Sequence, residues 1–373
     1  MAVSERDELR GVVRSFLQSR STSTHVREAM VSERGFDDAL WRDICGELGL
    51  SGIAVPEEWG GAGAGMTELT VVFEEAGAAL LCSPLFATVG LAVQAVLSSG
   101  DREAMADLVP PFLDGSRTAT VILNGALGPW APETVTLTAE YAGGTPHLSG
   151  EAALVIDGHS CDVLLAAART EAGLSLFAVE ADVTGLSRQP LAGLDRTRRV
   201  ARVSFDSTPA RLIGADGGAA PSLEHASQLA LVALAAEQLG GAQRCLDMAV
   251  GYARDRIQFG RPIGSFQAVK HRCADMLVLV EGARSAVEQA ASVADGVADD
   301  DGLAVTASVA KMAASEAYVA VALDNMRVHG GIGFTWEHDA HLYMRRAKAT
   351  ELTFGSPEEH AQRLAQIVVK GSS

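Results

Sequence analysis

Basic residues are scarce in this sequence. It has 30 lysines and arginines against 47 aspartates and glutamates, a formal net charge of −17 at pH 7, and only four of the basic residues are lysines. A surface with this excess of negative charge repels phosphate backbones and anionic lipid headgroups. We therefore expect neither nucleic acid nor a membrane as a partner. Local groups of arginines can still bind a small anionic ligand.

Long apolar runs are also missing. The longest, Leu229–Ala236, spans eight residues, whereas a membrane-spanning helix needs about 18 to 20. The first ten residues carry charges where a secretory signal would have an apolar segment. The sequence therefore predicts neither a spanning helix nor export, and a cytoplasmic location is the default expectation.

Cysteines are few and isolated, with no CxxC pair among them. This pattern is typical of reduced thiols buried as small apolar side chains, and it indicates no disulfide framework and no zinc site. His338 and His341 could share a helix face, but two histidines without a nearby third ligand do not predict a metal site. The signatures of the dinucleotide-binding fold, P-loop NTPases, zincins and serine hydrolases are absent as well.

Three segments of the chain differ in hydrophobic periodicity, and at roughly 150 residues per domain they fit three domains. Residues 1–116 have apolar residues at three- and four-residue spacing, which predicts helices. Residues 117–221 contain short alternating runs, which predict an antiparallel β-barrel or sandwich. Residues 222–373 contain four long helical patterns, which predict a four-helix bundle. The predicted strands are Thr134–Thr138, Ala153–Ile156, Val163–Ala167, Leu174–Val179 and Val200–Phe205.

The most distinctive local chemistry is a group of three arginines, Arg254, Arg256 and Arg261, around Gln258 and Phe259. One interpretation is a solvated helix end in which arginine side chains complement the helix dipole. The other is a guanidinium fork for a pyrophosphate with an aromatic ring beside it, since guanidinium groups bind phosphate in a bidentate manner. The spacing alone leaves both open.

Three runs of sequence resemble the acyl-CoA dehydrogenase family. They are YARDRIQFGRPIGSFQAVKHRCADM (Tyr252–Met276), MRVHGGIGFTWEHDAHLYMRRAKA (Met326–Ala349) and ELGLSGIAVPEEWGGAG (Glu47–Gly63). The resemblance implies an α+β fold with a helical N-terminal domain, a middle β-barrel domain and a C-terminal four-helix bundle. It also implies an oligomer in which FAD lies between the barrel of one subunit and the bundle of its neighbour.

The resemblance further implies which residues contact FAD. The arginine-rich segment would reach the adenosine diphosphate half of a neighbour's cofactor, and the glycine turn would approach its pyrophosphate. Arg327 stands where the family usually has Gln, which adds positive charge near the phosphates. The residues implied are Arg256, Gln258, Phe259, Gln267, Arg327, Gly330, Gly331 and Ser356.

The carboxylate that removes the α-proton of the acyl-CoA substrate is not found at its usual positions. The commoner position, before the Gly-Ser/Thr pair, is Phe354, and the alternative on the first bundle helix falls at Ala230. Neither side chain can accept a proton. Two other carboxylates are candidates for an unusual base: Glu351 lies one turn before Phe354, and Glu237 lies two turns after Ala230. For Glu351 we expect an ion pair with Arg345 or Lys348 instead.

The middle segment departs from the family in the parts that cover the flavin ring. A TEPxxGSD-like loop is replaced by NGALGPWAPET, residues 124–134, in which Trp130 is a candidate for stacking on the ring. The Trp-Ile-Thr/Ser strand is replaced by GEAALVIDG, with Leu154 and Ile156 at the functional places. The middle domain, which by the resemblance should hold the chain's own flavin, therefore differs from the family more than the C-terminal bundle does. The bundle is the part that would contact the FAD of a neighbouring subunit.

Three hypotheses follow for an FAD-linked α,β-dehydrogenation of an acyl-CoA thioester, in lipid metabolism. The first is a subunit without its own base that completes the FAD site of a second acyl-CoA dehydrogenase chain. The second is a self-sufficient homo-oligomeric flavoenzyme with an unusual base. The third is a flavin-free scaffold or CoA-binding protein of the same fold. The sequence does not assign the acyl group.

Overall fold

The computed structural model describes residues 3–123, 128–297 and 300–371 of the chain. Helices fill the first and last thirds, and strands fill the middle. The helices are α1 (Val3–Arg20), α2 (Ser23–Val31), α3 (Asp38–Arg42), α4 (Met66–Ala78), α5 (Gln94–Ser98), α6 (Arg102–Leu113), α7 (Ala220–Asp255), α8 (Gln267–Ser292), α9 (Asp300–His329), α10 (Ala340–Leu352) and α11 (Pro357–Gly371). The strands are β1 (Ala119–Ile122), β2 (Thr138–Ala142), β3 (Thr145–Ile156), β4 (Val163–Arg169), β5 (Leu174–Glu180), β6 (Leu186–Leu191), β7 (Val200–Pro209), β8 (Arg211–Ile213), β9 (Ile257–Gln258) and β10 (Arg261–Pro262).

The chain forms two compact units, each continuous in space but not in sequence. The helical unit comprises Met1–Arg27, Met66–Leu81 and Leu231–Ser373, and the sheet unit comprises Glu28–Gly65 and Cys82–Ala230. The predicted domain boundaries at residues 116 and 221 stay predictions, although the helix-to-strand and strand-to-helix changes fall close to them.

The helical unit has the four predicted C-terminal helices and one more, α11, which the sequence patterns did not indicate. Small side chains on α9 let its neighbours approach closely, and its buried positions include Ala307, Ala310, Ala314 and Ala317. Buried alanines provide apolar area without side-chain entropy cost. The N-terminal helix α1 is attached to α4 by arginine–glutamate ion pairs.

The sheet unit is built on strands in the order β6-β7-β3-β2-β4-β5-β8, with β1 pairing with β4. Pairing is antiparallel except for β1 and β2 with β4, which are parallel. One predicted strand was wrong: Pro132–Thr134 forms a 3-10 turn because Pro132 lacks an N–H for a ladder, and β2 begins only at Thr138. Buried side chains such as Leu148, Leu164 and Phe177 form its core.

Candidate functional site

The arginine-rich segment forms an exposed hairpin at the end of α7. Strands β9 and β10 pair antiparallel, with Gln258 opposite Arg261, and Phe259 and Gly260 make the turn with φ angles of 52° and 75°. Phe259 is 90% exposed. The Arg261 guanidinium lies 4.1 Å from the centroid of the Phe266 ring, which fixes the base of the hairpin.

The predicted residues of this segment share one surface. Arg256, Gln258 and Phe259 are all exposed on the hairpin, and Gln267 is exposed at the first residue of α8. Among the described residues Arg256 makes no ion pair. A guanidinium group without a carboxylate partner is available for an external anion, so of the two sequence interpretations the phosphate fork fits this geometry better.

The glycine-rich turn follows α9 at the same end of the helical unit. Gly330–Phe334 is a 3-10 turn in which Gly330 has a φ of 64°, and a Cβ added at Gly331 would meet nothing within 4 Å. The turn is therefore open to the outside, and a ligand can approach its backbone N–H groups. Arg327 precedes it and donates to Asp324 Oδ1 at 3.0 Å, which offsets part of its extra charge.

Histidine rings connect this turn to α7. His329 is buried, its ring stacks on Tyr252 at 4.4 Å, and its Nδ1 donates to the Asn325 carbonyl at 2.9 Å. The His338 ring lies 4.3 Å from that of His329. Burial lowers the pKa of both histidines, so both rings are neutral at neutral pH. The hairpin and the glycine turn are thus held next to each other.

Ser356 lies elsewhere in the helical unit, as the N-cap of α11. Its N–H and Oγ both donate to Glu359 Oε2, at 2.8 and 3.0 Å, and Glu359 N donates back to Ser356 Oγ at 3.3 Å. This is a capping box, and it occupies the hydroxyl. The turn packs beside Lys311, which is 18 residues before His329 on α9, or roughly 27 Å at 1.5 Å per residue. The structure therefore does not bring Ser356 together with the hairpin.

Phe354, which the sequence predicts at the family's usual base position, lies in a strained turn. Phe354 has a φ of 56° and is followed by Gly355 with a φ of 107°. The two alternative carboxylates are both engaged: Glu237 Oε1 lies 2.7 Å from Arg346 Nη1, and Glu351 is ion-paired with Lys348. The ion pair expected for Glu351 is confirmed. Ala230, the second base position, is a buried alanine.

In the sheet unit, the two positions that the sequence comparison predicts to face a flavin ring hold Leu154 and Ile156. Leu154 has a φ of 60° at an irregularity of the β3–β7 pairing and is 40% exposed, whereas Ile156 is buried. Trp130 is buried as well, and its Nε1 has no hydrogen-bond partner among the described residues. Residues 124–127 of the preceding loop lie outside the described residues. None of these side chains offers a hydrogen bond to the ring except the Trp130 indole, which is enclosed.

Sequence reasoning missed three buried ionisable side chains of the helical unit: Lys311, Arg346 and His360. A signal existed for Lys311, since it is one of only four lysines and lies among the alanines of α9. Nothing in the sequence marked Arg346 as different from its neighbour Arg345.

Comparison with known proteins agrees with this layout. Residues 4–116 match the profile of the acyl-CoA dehydrogenase N-terminal domain, and residues 228–369 match that of the C-terminal domain. The acyl-CoA dehydrogenase IpdE2 of Mycolicibacterium smegmatis is 37% identical over 96% of this chain and 97% of its own. The chain belongs to the acyl-CoA dehydrogenase family. It is therefore an FAD-dependent oxidoreductase that acts on CH–CH bonds.

Two solved structures of family members are similar over nearly the whole chain. The Tcur3481–Tcur3483 steroid ACAD, solved as a point variant, has a TM-score of 0.88 at 34% identity and covers 99% of both chains. The ChsE4–ChsE5 complex from Mycobacterium tuberculosis has a TM-score of 0.89 at 31% identity and covers 99% of this chain and 98% of that one. In the part of our chain that the structure describes, no helix is both long and apolar enough to cross a membrane.

The residues present fit one half of FAD. An unpaired exposed guanidinium, an exposed amide and an open glycine turn match the donors that a pyrophosphate requires, and the exposed Phe259 ring offers a stacking surface. Among the described residues, Leu154, Ile156 and Trp130, which the sequence predicts near the flavin ring, offer no comparable set of donors.

Proposed function

We propose that this chain is the subunit of a hetero-oligomeric acyl-CoA dehydrogenase that completes an FAD site of a second, related chain. The helical unit would supply Arg256, Gln258, Phe259 and the turn after Arg327 to that cofactor, with Gln267 near its adenine. The catalytic carboxylate and the strand that covers the flavin ring would come from the second chain.

One observation supports the proposal: the helical unit has exposed donors that would suit a diphosphate, whereas the residues predicted at the two base positions, Phe354 and Ala230, cannot accept a proton. The nearby carboxylates Glu237 and Glu351 are held in ion pairs. FAD, when bound, supplies the hydride acceptor for oxidation next to the thioester. This chain's residues would bind and orient the cofactor's diphosphate, and none of the four named here is placed to take the proton.

The similar structures support the partner and suggest the substrate. Both the Tcur3481–Tcur3483 protein and ChsE4–ChsE5 are named as assemblies of two different chains, and the first is described as a steroid ACAD. We propose that the substrate is likewise a bulky acyl-CoA of steroid type. The cytoplasmic location stays a prediction.

The test is the flavin content of the purified protein, alone and after co-expression with each candidate second acyl-CoA dehydrogenase chain from the same genome. We expect little flavin in the solitary chain and one FAD for each pair of different chains in the complex, with turnover only in the complex. Full flavin occupancy and turnover of the solitary chain would instead establish a self-sufficient enzyme. No flavin with any candidate partner would establish a scaffold.

A further inference from the structure

Lys311 places a positively charged group in the interior of the helical unit. Its side chain on α9 is fully buried, and its Nζ lies 2.8 Å from Ser315 Oγ, 3.1 Å from the carbonyl oxygens of Thr350 and Glu351, and 3.2 Å from that of Gly355. No carboxylate of the described residues forms an ion pair with it. The ammonium group is thus stabilised by backbone and hydroxyl oxygens.

The three carbonyls belong to one feature, the C-terminal end of α10 and the turn that follows it. The last carbonyls of a helix have no partner within the helix and carry its partial negative charge. An ammonium group that binds them both satisfies these acceptors and ties the turn to α9. Ser315 extends the link, because Gln238 on α7 donates to its hydroxyl at 3.0 Å.

A second buried residue, on α11, also contacts this turn. His360 on α11 is fully buried, and its Nε2 donates to the Phe354 carbonyl at 2.9 Å. Phe354, whose carbonyl accepts from His360 and whose neighbour Gly355 accepts from Lys311, has a φ of 56°. A residue with a Cβ adopts this left-handed conformation only when its surroundings impose it.

We propose that Lys311 is the positioning residue of the Leu352–Ser356 turn, and that with His360 it holds Phe354 in the left-handed conformation. It thereby sets where the side chain of residue 354 stands. The proposal rests on the proposed function in one respect only, which is that residue 354 is taken to stand at the family's base position. The contacts of Lys311 and His360 with the turn, together called the clamp, do not depend on that assignment.

Protonation makes the clamp testable. Burial lowers the pKa of Lys311 to about 7, while Glu351 on α10 and Glu359 on α11 act in the opposite direction. The α7 neighbour, Gln238, is uncharged. On α11, burial and the Lys311 charge lower the pKa of His360 to about 4, outside the range where Lys311 titrates. Above neutral pH the amine therefore loses its charge, and we expect the turn to loosen.

The experiment places para-fluorophenylalanine at position 354 of the full chain and follows its fluorine resonance by NMR from about pH 6 to pH 9. We expect one transition with a midpoint near 7 in the wild type. In Lys311→Met the resonance should stand at or beyond its high-pH position and show no transition. The control Lys270→Met removes an exposed lysine on α8 and should titrate as the wild type does.

A flat wild-type resonance over this range would overturn the proposal, whether or not Lys311→Met folds. So would a Lys311→Met protein with an unchanged resonance and an unchanged transition. Neither readout involves flavin or turnover, so a failure of the proposed function would leave this result standing, and the reverse is also true.

Discussion

Glu237 and Arg346 form an ion pair in the interior of the helical unit. Arg346 Nη1 donates to Glu237 Oε1 at 2.7 Å, and the two side chains are only 2% and 6% exposed, respectively. The pair joins α7 to α10 across 109 residues of sequence. Glu237 was one of the two carboxylates considered as an unusual base, and the pair indicates a structural role for it.

Glu237→Gln should therefore destabilise the protein without changing the chemistry. Removing one partner of a buried ion pair leaves the other charge uncompensated and costs about 3 to 5 kcal/mol. The measurement is the free energy of unfolding in urea, together with turnover per folded complex, which should stay within about twofold of the wild type. The control is Glu237→Leu combined with Arg346→Met, which should recover much of the lost stability. A stable Glu237→Gln protein whose complex no longer turns over would return Glu237 to the list of bases.

Arg256→Gln should weaken FAD binding in the assembled complex. A charge-assisted hydrogen bond contributes about 1.5 to 3 kcal/mol, so the dissociation constant for FAD should rise roughly 10- to 100-fold. Flavin release on dilution, followed by fluorescence, measures it. The matched control is Arg254→Gln on the last turn of α7, which is also exposed and should have little effect. Equal losses in both variants would mean that only general positive charge matters.

Acidification should destabilise the protein in part through His329. Burial lowers its pKa below the ordinary value of 6.5. Below about pH 6.5 the unfolded chain then takes up a proton that the folded protein does not, so the free energy of unfolding falls as the pH falls. His329→Phe keeps a ring against Tyr252 and should show a shallower fall from pH 7 to about pH 5. His271→Phe, an exposed position on α8, is the control; a slope in His329→Phe as steep as in the wild type would contradict the assignment.

Sequence patterns predicted the helices and strands that have a clear hydrophobic periodicity of their own. The long periodic helices of the C-terminal third lie where they were expected, and so do β4, β5, β7 and the last part of β3. Strands β1, β6 and β8 were not predicted; β1 and β8 have only four and three residues, too few for a periodicity to show. Helix α11 was not predicted; only four residues separate it from the end of α10, so the two helical patterns lie close together in the sequence.

In the candidate site, too, contacts between residues close in sequence could be predicted and contacts between distant residues could not. Arg256, Gln258 and Phe259 are neighbours in sequence, so their common hairpin could be anticipated. The distant partners of Lys311 and Arg346 could not, because they lie on other helices or in the turn after α10, as far as 109 residues away in the case of Arg346. The sequence Ser-Pro-Glu-Glu fits the capping-box pattern, so the capping role of Ser356 could be predicted locally, whereas the family resemblance implied a contact with FAD.

Two glycines make the close crossing of α4 and α7 possible, and their substitution gives the sharpest test of packing. A Cβ at Gly77 would lie 1.9 Å from the Glu237 carbonyl oxygen, and one at Gly240 would lie 1.7 Å from that of Glu74. Because both obstacles are backbone atoms, the helices would have to move apart. We expect Gly77→Ala and Gly240→Ala each to lose at least about 1 to 3 kcal/mol of unfolding free energy.

Gly251, also on α7, is the matched control, because an added Cβ there meets nothing within 4 Å. Gly251→Ala should stabilise the helix by roughly 0.5 to 1 kcal/mol, since alanine loses less backbone entropy on folding. Urea unfolding midpoints of the three variants give the comparison.

Since the same crossing brings Glu237 beside α4, Gly240→Ala should also disturb the ion pair between Glu237 and Arg346. Combined with Glu237→Gln it should therefore cost less than the sum of the two single effects, whereas strict additivity would show that the crossing and the ion pair are independent.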